Sequence, residues 1–270
     1  MPPMTAAPTI LVFDSGLGGL TVYREVAKVR PDARYVYAAD DAFFPYGGQD
    51  EAKLVERVLA VMAELIAAHR PDLVVIACNT ASTLVLPQLR ARFAVPFVGT
   101  VPAIKPACAA SASRLVSVLG TEATVRREYT RALIRDFAQG CTVTLVGSPR
   151  LAILAEAELK GEAVADAGIA AEIAPCFVET GAARTDTVVL ACTHFPLLLD
   201  RLTRLAPWPV QFIDPAPAIA RRVAALLGPP ESGQQAAPAR LVFTSGHAPP
   251  PPLREALARF GIAGSAAAGA

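Results

Sequence analysis

Short runs of apolar, β-branched residues alternate with helical patterns along this chain, and that alternation limits the folds it can adopt. Thus "TILVFDSG" (9–16) precedes "LTVYREVAKVR" (20–30), and "DLVVIAC" (72–78) precedes "TASTLVLPQLRARF" (80–93). Strands separated by helices pair in parallel, because a parallel connection needs a crossover. The sequence therefore predicts an α/β fold built from doubly wound, mainly parallel sheets.

The strand pattern occurs twice. "ILVFDSG" (10–16) opens the first half and "RLVSVLGTEAT" (114–124) the second, and the halves later reach "VVIACNT" (74–80) and "VVLACTH" (188–194). Their cysteines are separated by about the length of one small domain. We therefore predict two α/β domains related by approximate pseudo-symmetry, with the active site in the cleft between them.

Composition excludes several classes of protein. The chain has 270 residues, 53% of them hydrophobic, which supplies a sizeable core and argues against global disorder. A net charge of +1 predicts neither nucleic-acid nor membrane-surface binding. The apolar runs are too short to span a bilayer, and "MPPMTAAPTI" lacks the pattern of a secretory signal. We expect a cytoplasmic protein with a small-molecule substrate, and a homodimer as the default for a soluble enzyme.

Two of the five cysteines, Cys78 and Cys192, stand where a buried strand leaves its sheet. Ligands of open α/β sheets bind at the carboxyl ends of the strands, and helix N-termini there favour a thiolate. If the two halves face each other, both thiols flank one cleft. One can take a proton from a carbon while the other returns a proton to the opposite face, which inverts the carbon without a metal or a cofactor.

Five motifs, read together, resemble the glutamate racemases, which belong to the cofactor-independent aspartate/glutamate racemase superfamily. They are "VFDSGLGGLTV" (12–22), "DDAFFPYG" (40–47), "ACNTAS" (77–82), "LGTEATV" (119–125) and "ACTHFPLL" (191–198). They occur in the family's order over most of the chain, which makes the match far more specific than any single short motif. The resemblance implies an isomerase that interconverts L- and D-glutamate and supplies D-glutamate for peptidoglycan and cell-wall synthesis.

The resemblance also implies the site residues. Cys78 and Cys192 match the two catalytic acid/bases, with no cofactor and no metal. The positions that match substrate contacts are Asp14, Ser15, Tyr46, Gly47, Asn79, Thr80, Thr193 and His194. Asp14 and His194 are also expected to assist the cysteines.

Several of these residues have a structural alternative. Asp14 can cap a helix, as can the Ser, Asn and Thr residues of the set, and Tyr46 can simply pack with Phe43 and Phe44. The family's assisting glutamate falls in "GSPRLAILAEAELKG" (147–161), where Glu156 is the first choice and Glu158 competes.

By the same resemblance, 1–98 and 208–270 form one domain and 99–207 the other. The polar segment at 228–238 is expected to be a surface loop, and 261–270 a frayed tail.

Three other functions compete with glutamate racemisation, besides a related racemase of aspartate. A cysteine hydrolase would use Cys192 and His194, but residues two apart on a loop seldom form a productive pair, and Cys78 would be unexplained. A zinc site of Cys78, Cys192 and His194 lacks the usual ligand spacing. A non-catalytic binding protein would hold glutamate without exchanging its Cα proton.

Overall fold

The computed structural model describes residues 7–138, 140–230 and 237–262. Residues 231–236 of the expected surface loop and 263–270 of the expected tail lie outside this range. No helix among the described residues is both long and apolar enough to span a membrane.

The first sheet contains the strand that ends at Asp14 and the strand that precedes Cys78. Its strands are β1 (Thr9–Asp14), β2 (Arg34–Ala39), β3 (Leu73–Ile76), β4 (Phe97–Gly99) and β11 (Arg240–Phe243). Within the described ranges they are all parallel, in the order β11-β2-β1-β3-β4. Helices α1 (Leu20–Val29), α10 (Ala216–Leu227) and α11 (Pro251–Arg259) cover one face, and α2 (Glu51–His69) and α3 (Asn79–Arg92) cover the other. We call this unit the first lobe.

The second sheet has the same design. Its strands are β5 (Leu115–Gly120), β6 (Thr142–Gly147), β9 (Thr187–Ala191) and β10 (Gln211–Ile213). In the described part of the chain they are parallel, in the order β10-β9-β5-β6. Helices α4 (Ile104–Ala110) and α6 (Glu128–Phe137) pack on one face, and α7 (Leu151–Leu159), α8 (Asp166–Ile173) and α9 (Leu199–Leu205) on the other. The short helix α5 (Glu122–Arg126) follows β5, and β7 (Glu179–Thr180) pairs with β8 (Ala183–Arg184) in a small hairpin. This unit is the second lobe, and the two sheets confirm the predicted α/β fold class.

Strand β10 pairs with β9, although the sequence analysis assigned residues 208–270 to the first domain. Val210 and Phe212 pack on the second lobe's core, which draws this segment to the second sheet before the chain returns to the first lobe.

The helical pattern of "TEATVRREYTRALIRDF" (121–137) predicts one helix, but the structure divides it into α5 and α6 at Arg127, which has an extended backbone with φ −70° and ψ 142°. The Arg127 guanidinium binds the Thr80 carbonyl, the Thr83 hydroxyl and Glu51 of the first lobe. These contacts with the other lobe override the local helical pattern.

Candidate active site

Four strand ends, two from each lobe, meet at a narrow cavity. Ser15 follows β1, Cys78 follows β3, Thr121 follows β5 and Cys192 follows β9, and all four line it. The other lining residues are Phe44, Pro45, Tyr46, Gly47, Asn79, Thr80, Ala152, Thr193 and His194. The cavity measures about 20 Å³, close to the roughly 10–15 Å³ that one water needs on this measure. The structure thus brings both predicted cysteines to one small space at the sheet edges.

Cys78 is buried at the start of α3, with 5% of its surface exposed. Its Sγ lies 3.6 Å from Ser15 Oγ. Burial, assisted by the negative charge of Asp14, raises the pKa of the Cys78 thiol to about 12, although contacts with the Ala81 backbone N–H and with Ser15 oppose the rise. Cys78 is therefore a thiol, not a thiolate, around neutral pH.

Cys192 has a different neighbour. Its Sγ lies 3.9 Å from Nδ1 of His194, at the start of the 3₁₀ turn Phe195–Leu198. Residues two apart on a loop seldom form a productive pair, but the turn after β9 folds the imidazole back toward the sulfur here. Burial lowers the pKa of His194, but the contacts with Cys192 and Glu156 outweigh it and raise the pKa well above its usual value.

Glu156, on α7, holds the far side of that imidazole. Its Oε1 lies 3.0 Å from His194 Nε2 and accepts a 2.8 Å hydrogen bond from the Leu17 N–H. Its Oε2 accepts a 2.7 Å hydrogen bond from Lys160 Nζ. Burial alone would raise the pKa of Glu156, but His194 and Lys160 lower it to about 2. The competing Glu158 lies on the surface and is paired with Arg201, so Glu156 is the glutamate that contacts His194 of the cavity wall.

The Gly18 N–H also lies 3.2 Å from His194 Nε2, and one nitrogen cannot both donate to Glu156 and accept from Gly18. We assign a proton to Nε2, because the contact with the carboxylate is shorter and the pKa of the imidazole is raised. His194 is then an imidazolium between Glu156 and Cys192.

Asp14 is fully buried between the two lobes. It accepts a 3.1 Å hydrogen bond from the Gly16 N–H and another of 3.1 Å from the Thr193 hydroxyl of the opposite lobe. Burial raises the pKa of Asp14, although His194 and the nearby N–H groups oppose the rise. Its bond to the Gly16 N–H lies within the turn after β1 and does not cap α1, whose N-cap is Gly19 without a side-chain bond, whereas its bond to Thr193 joins the lobes beside the cavity.

Asn79 has a buried side chain whose amide nitrogen and oxygen make no hydrogen bond with the described residues. Leaving such a group unpaired costs on the order of 1–3 kcal/mol. Asn79 lines the cavity beside Cys78, so a polar molecule in the cavity would satisfy it. Among the residues predicted to bind substrate, it has the clearest sign of a missing partner.

Tyr46 and Gly47 also line the cavity, as predicted, but the Tyr46 hydroxyl already has a partner. It donates a 2.6 Å hydrogen bond to Asp40, a carboxylate that Arg57 also binds at 2.6 Å. Tyr46 therefore presents its ring to the cavity.

Sequence reasoning overlooked a cluster of hydroxyls at the other end of the cavity. The Thr80 Oγ1 lies 3.0 Å from Thr121 Oγ1 and 3.3 Å from Thr124 Oγ1. Thr121 also caps α5, because its side chain accepts a hydrogen bond from the Thr124 N–H. The internal repeat could have indicated this cluster, because "GTEAT" stands at the end of β5 as "DSG" stands at the end of β1.

Two glycines of "DSGLGGL" lie against the assisting residues. A Cβ on Gly16 would lie 2.0 Å from Glu156 Oε1, and one on Gly18 would lie 2.5 Å from the backbone nitrogen and from Nδ1 of His194. Both glycines belong to the first lobe, whereas Glu156 and His194 belong to the second. The glycines thus let the lobes approach closely on the Cys192 side.

Within the described ranges, no group of three or more His, Cys, Asp or Glu side chains is arranged to hold a metal ion. The zinc alternative therefore has no support from the placement of Cys78, Cys192 and His194.

Comparisons with known proteins agree with the resemblance seen in the motifs. A model of the Asp/Glu/hydantoin racemase family matches residues 18–223. A glutamate racemase of Brucella anthropi is 57% identical over 87% of this chain and 85% of its own length. The crystal structure of Escherichia coli glutamate racemase with L-glutamate and the activator UDP-MurNAc-Ala has a TM-score of 0.86 at 42% identity, over 95% of this chain and 96% of that one. Glutamate racemase from Aquifex pyrophilus has a TM-score of 0.72 at 26% identity, over 96% of both chains. On this match, which covers most of the chain, the protein belongs to the Asp/Glu/hydantoin racemase family.

Proposed function

We propose that this protein is a glutamate racemase. One thiolate removes the Cα proton of glutamate, and the other thiol delivers a proton to the opposite face. Cys78 and Cys192 exchange the roles of acid and base when the direction reverses. The reaction uses no cofactor, because every group it needs is a side chain or a backbone N–H of this chain.

The observation that carries the proposal is the shared cavity. Two cysteines from opposite lobes line one space, and each lies at the carboxyl end of a buried strand. Inversion of a carbon needs one proton donor or acceptor on each face, within hydrogen-bond reach. A hydrolase would leave Cys78 without a role.

The groups around the cysteines suit an amino-acid substrate. Asp14 can hold or neutralise an ammonium group, and the unpaired amide of Asn79 can bind a carboxylate. The hydroxyls of Thr80, Thr121 and Thr124 offer donors for a second carboxylate at the other end of the cavity. The Cα proton is a very weak acid, so preorganised donors of this kind must stabilise the negative charge that develops when it leaves.

Glutamate enters only if the lobes separate, because the cavity of about 20 Å³ is far too small for it. The contacts that close the cavity join the lobes through single side chains, as in Thr193 to Asp14 and Thr80 to Thr121. Such contacts can open and re-form in each turnover. Closure would then exclude water and strengthen the contacts to the substrate.

The test is racemisation of L- and D-glutamate in D₂O, with aspartate as the competing substrate. Cys78→Ser and Cys192→Ser should each lose at least a thousandfold in turnover, within the range expected for loss of a general acid–base group. Any remaining deuterium uptake at Cα should occur from one enantiomer only. Cys141→Ser, which changes a half-buried cysteine outside the cavity, is the matched control and should keep its activity. Near-normal turnover in either site variant, or faster turnover of aspartate than of glutamate, would contradict the proposal.

The biological role follows from the reaction. D-Glutamate formed here would serve peptidoglycan precursors, and the place of action would be the cytoplasm. The assignment of 1–98 with the C-terminal region to one domain, of the middle of the chain to the other, and of a homodimer as the assembly remains part of this proposal.

A further inference from the structure

Lys160 lies outside the cavity but is joined to Cys192 by consecutive contacts. Its Nζ is 2.7 Å from Glu156 Oε2, Glu156 Oε1 is 3.0 Å from His194 Nε2, and His194 Nδ1 is 3.9 Å from Cys192 Sγ. The Glu156 and His194 side chains are 5% and 2% exposed, whereas Lys160 is 38% exposed. The row of contacts thus runs from a partly exposed ammonium to a buried thiol.

The fold places Lys160 next to Glu156 by helix geometry. Residues four apart share one face of a helix, and α7 ends at Leu159, so Lys160 is its C-terminal cap. Its backbone N–H still bonds to the Glu156 carbonyl at 2.9 Å. Glu156 therefore lies between His194 on one side and Lys160 on the other.

A second cavity, of about 110 Å³, adjoins this outer side and lies between the lobes. Leu17, Asp41, Phe243 and His247 line it from the first lobe, and Glu156 and Lys160 from the second. Asp41 is occupied by the Ser245 hydroxyl and backbone N–H. Among the described residues that line this second cavity, Lys160 is the cation that binds Glu156 directly.

The buried pair His194–Glu156 shares one proton. A carboxylate out of water tends to take up a proton, which would leave a neutral acid beside a neutral imidazole. A positive charge at Oε2 opposes that transfer and keeps the proton on the ring, as an imidazolium that donates to Cys192. Resting on the function proposed above, we propose that Lys160 is a positioning residue for Cys192: it holds Glu156 ionised, so that His194 faces Cys192 as a positively charged imidazolium.

The two cysteines make this inference testable without any substrate. Alkylation by iodoacetamide reports the thiolate fraction, and mass spectrometry of peptides gives a separate rate for Cys78 and for Cys192. Both thiols can react only when the lobes open, so lobe opening affects both rates equally and does not change their ratio. Removal of the Lys160 charge should disfavour the thiolate of Cys192 while leaving Cys78 unchanged.

We expect Lys160→Met to slow the alkylation of Cys192 by about tenfold, the effect of one pKa unit, and that of Cys78 by less than about twofold. Lys160→Arg should restore most of the rate. The matched control is Lys28→Met, which removes an exposed lysine of α1 from a similarly short contact, 2.6 Å to Glu25; Lys28 lines neither cavity.

Nitrogen NMR of the histidines gives an independent reading. The chain has only three, His69, His194 and His247, so the signals can be assigned by single substitutions. His194 should show two protonated ring nitrogens in the wild type and shift toward the neutral ring in Lys160→Met, but not in Lys28→Met.

An unchanged ratio of alkylation rates, or an unchanged His194 signal in a folded Lys160→Met protein, would overturn the inference. Equal slowing of both cysteines with a lower melting temperature would also overturn it, because that result indicates a general structural role. Neither measurement needs glutamate. A wild type that fails to racemise glutamate would therefore count against the proposed function alone.

Discussion

Cys78 and Cys192 occupy matching places in two similar lobes, but their surroundings differ. Cys78 lies beside a hydroxyl and a carboxylate, Ser15 and Asp14, and its thiol pKa is raised. Cys192 lies beside the His194 imidazolium. Glu156 binds the other ring nitrogen of His194, and Lys160 binds Glu156. The negative charge beside Cys78 therefore disfavours a thiolate there, whereas the His194 imidazolium places a positive charge next to the Cys192 sulfur.

The comparison shows that a repeated fold does not imply repeated electrostatics. The strand, its turn and the cysteine are set by local sequence, and these are nearly the same in both halves. The charge next to each sulfur comes from other elements: β1 supplies Asp14 to Cys78, and α7 supplies Glu156 to His194. A reaction that needs an acid on one face and a base on the other can use this inequality, because the charge beside one sulfur is opposite in sign to the charge beside the other.

Among the variants that compare the two sides of the cavity, the largest loss of turnover is expected where the lobes touch on the Cys192 side. In Gly18→Ala, the new methyl group would lie 2.5 Å from the His194 backbone, which cannot move as a side chain tip can. Displacement of a catalytic group by about an ångström can cost a hundredfold in rate. We therefore expect turnover of both enantiomers to fall by about a hundredfold, measured at saturating glutamate.

Gly48→Ala is the matched control, because a Cβ there has no neighbour within 4 Å and the residue does not line the cavity. It should retain wild-type turnover. Activity of Gly18→Ala within about threefold of the control would mean that the close approach of the glycine turn to His194 is not needed for catalysis.

The local sequence pattern was sufficient to predict most of the helices and strands, and the position of both cysteines at strand ends. The alternation of strands and helices, and the strand-end rule, placed Cys78, Cys192 and Asp14 at sheet edges before any contact was known. Tertiary contacts explain what the local pattern could not predict. Arg127 breaks a helix because it binds Thr80 of the other lobe, and β10 joins the second sheet, where Val210 and Phe212 pack on the core.

The choice between Glu156 and Glu158 shows the same limit inside the site. Both lie on α7, two residues apart, with the same side chain. Only the position of His194, more than thirty residues later in the chain, decides which carboxylate is buried against the imidazole. Lys160 was overlooked for the same reason, since its role depends on that choice.

A smaller effect, of about tenfold, is expected on the Cys78 side. The charge of Asp14 contributes to the raised pKa of Cys78, so Asp14→Asn should lower that pKa. In the wild type, the alkylation rate of Cys78 should rise about tenfold per pH unit from 7 to 10 without a plateau, because the thiol pKa is about 12. In Asp14→Asn the rate at a given pH should be about tenfold higher, while turnover of glutamate falls.

That combination, a more reactive thiol in a slower enzyme, separates an electrostatic role of Asp14 from a general loosening of the site. Thr193→Val is the control, since it removes the hydrogen bond to Asp14 without removing the charge. It should change the alkylation rate of Cys78 much less. A Cys78 that is equally or less reactive in Asp14→Asn would contradict the assigned cause of its raised pKa.

The smallest effect is the most specific, because it compares the two halves directly. L- and D-glutamate have equal free energies, so any variant must change kcat/KM equally in both directions, and rates alone cannot show which cysteine was affected. Isotope effects can show which cysteine was affected. When the step at one cysteine becomes slower, substrate deuterated at Cα should show a larger isotope effect for the enantiomer that this cysteine deprotonates, and a smaller one for the other enantiomer.

Lys160→Met and Ser15→Ala should therefore shift the two isotope effects in opposite senses. Lys160 supports Cys192 through Glu156 and His194, whereas Ser15 contacts Cys78 at 3.6 Å. The enantiomer whose isotope effect rises in Lys160→Met is the one that Cys192 deprotonates, so the experiment also assigns each cysteine to a face of the substrate. Shifts in the same sense in both variants would mean that the two halves are not independent, because each supporting residue would then act on the cavity as a whole.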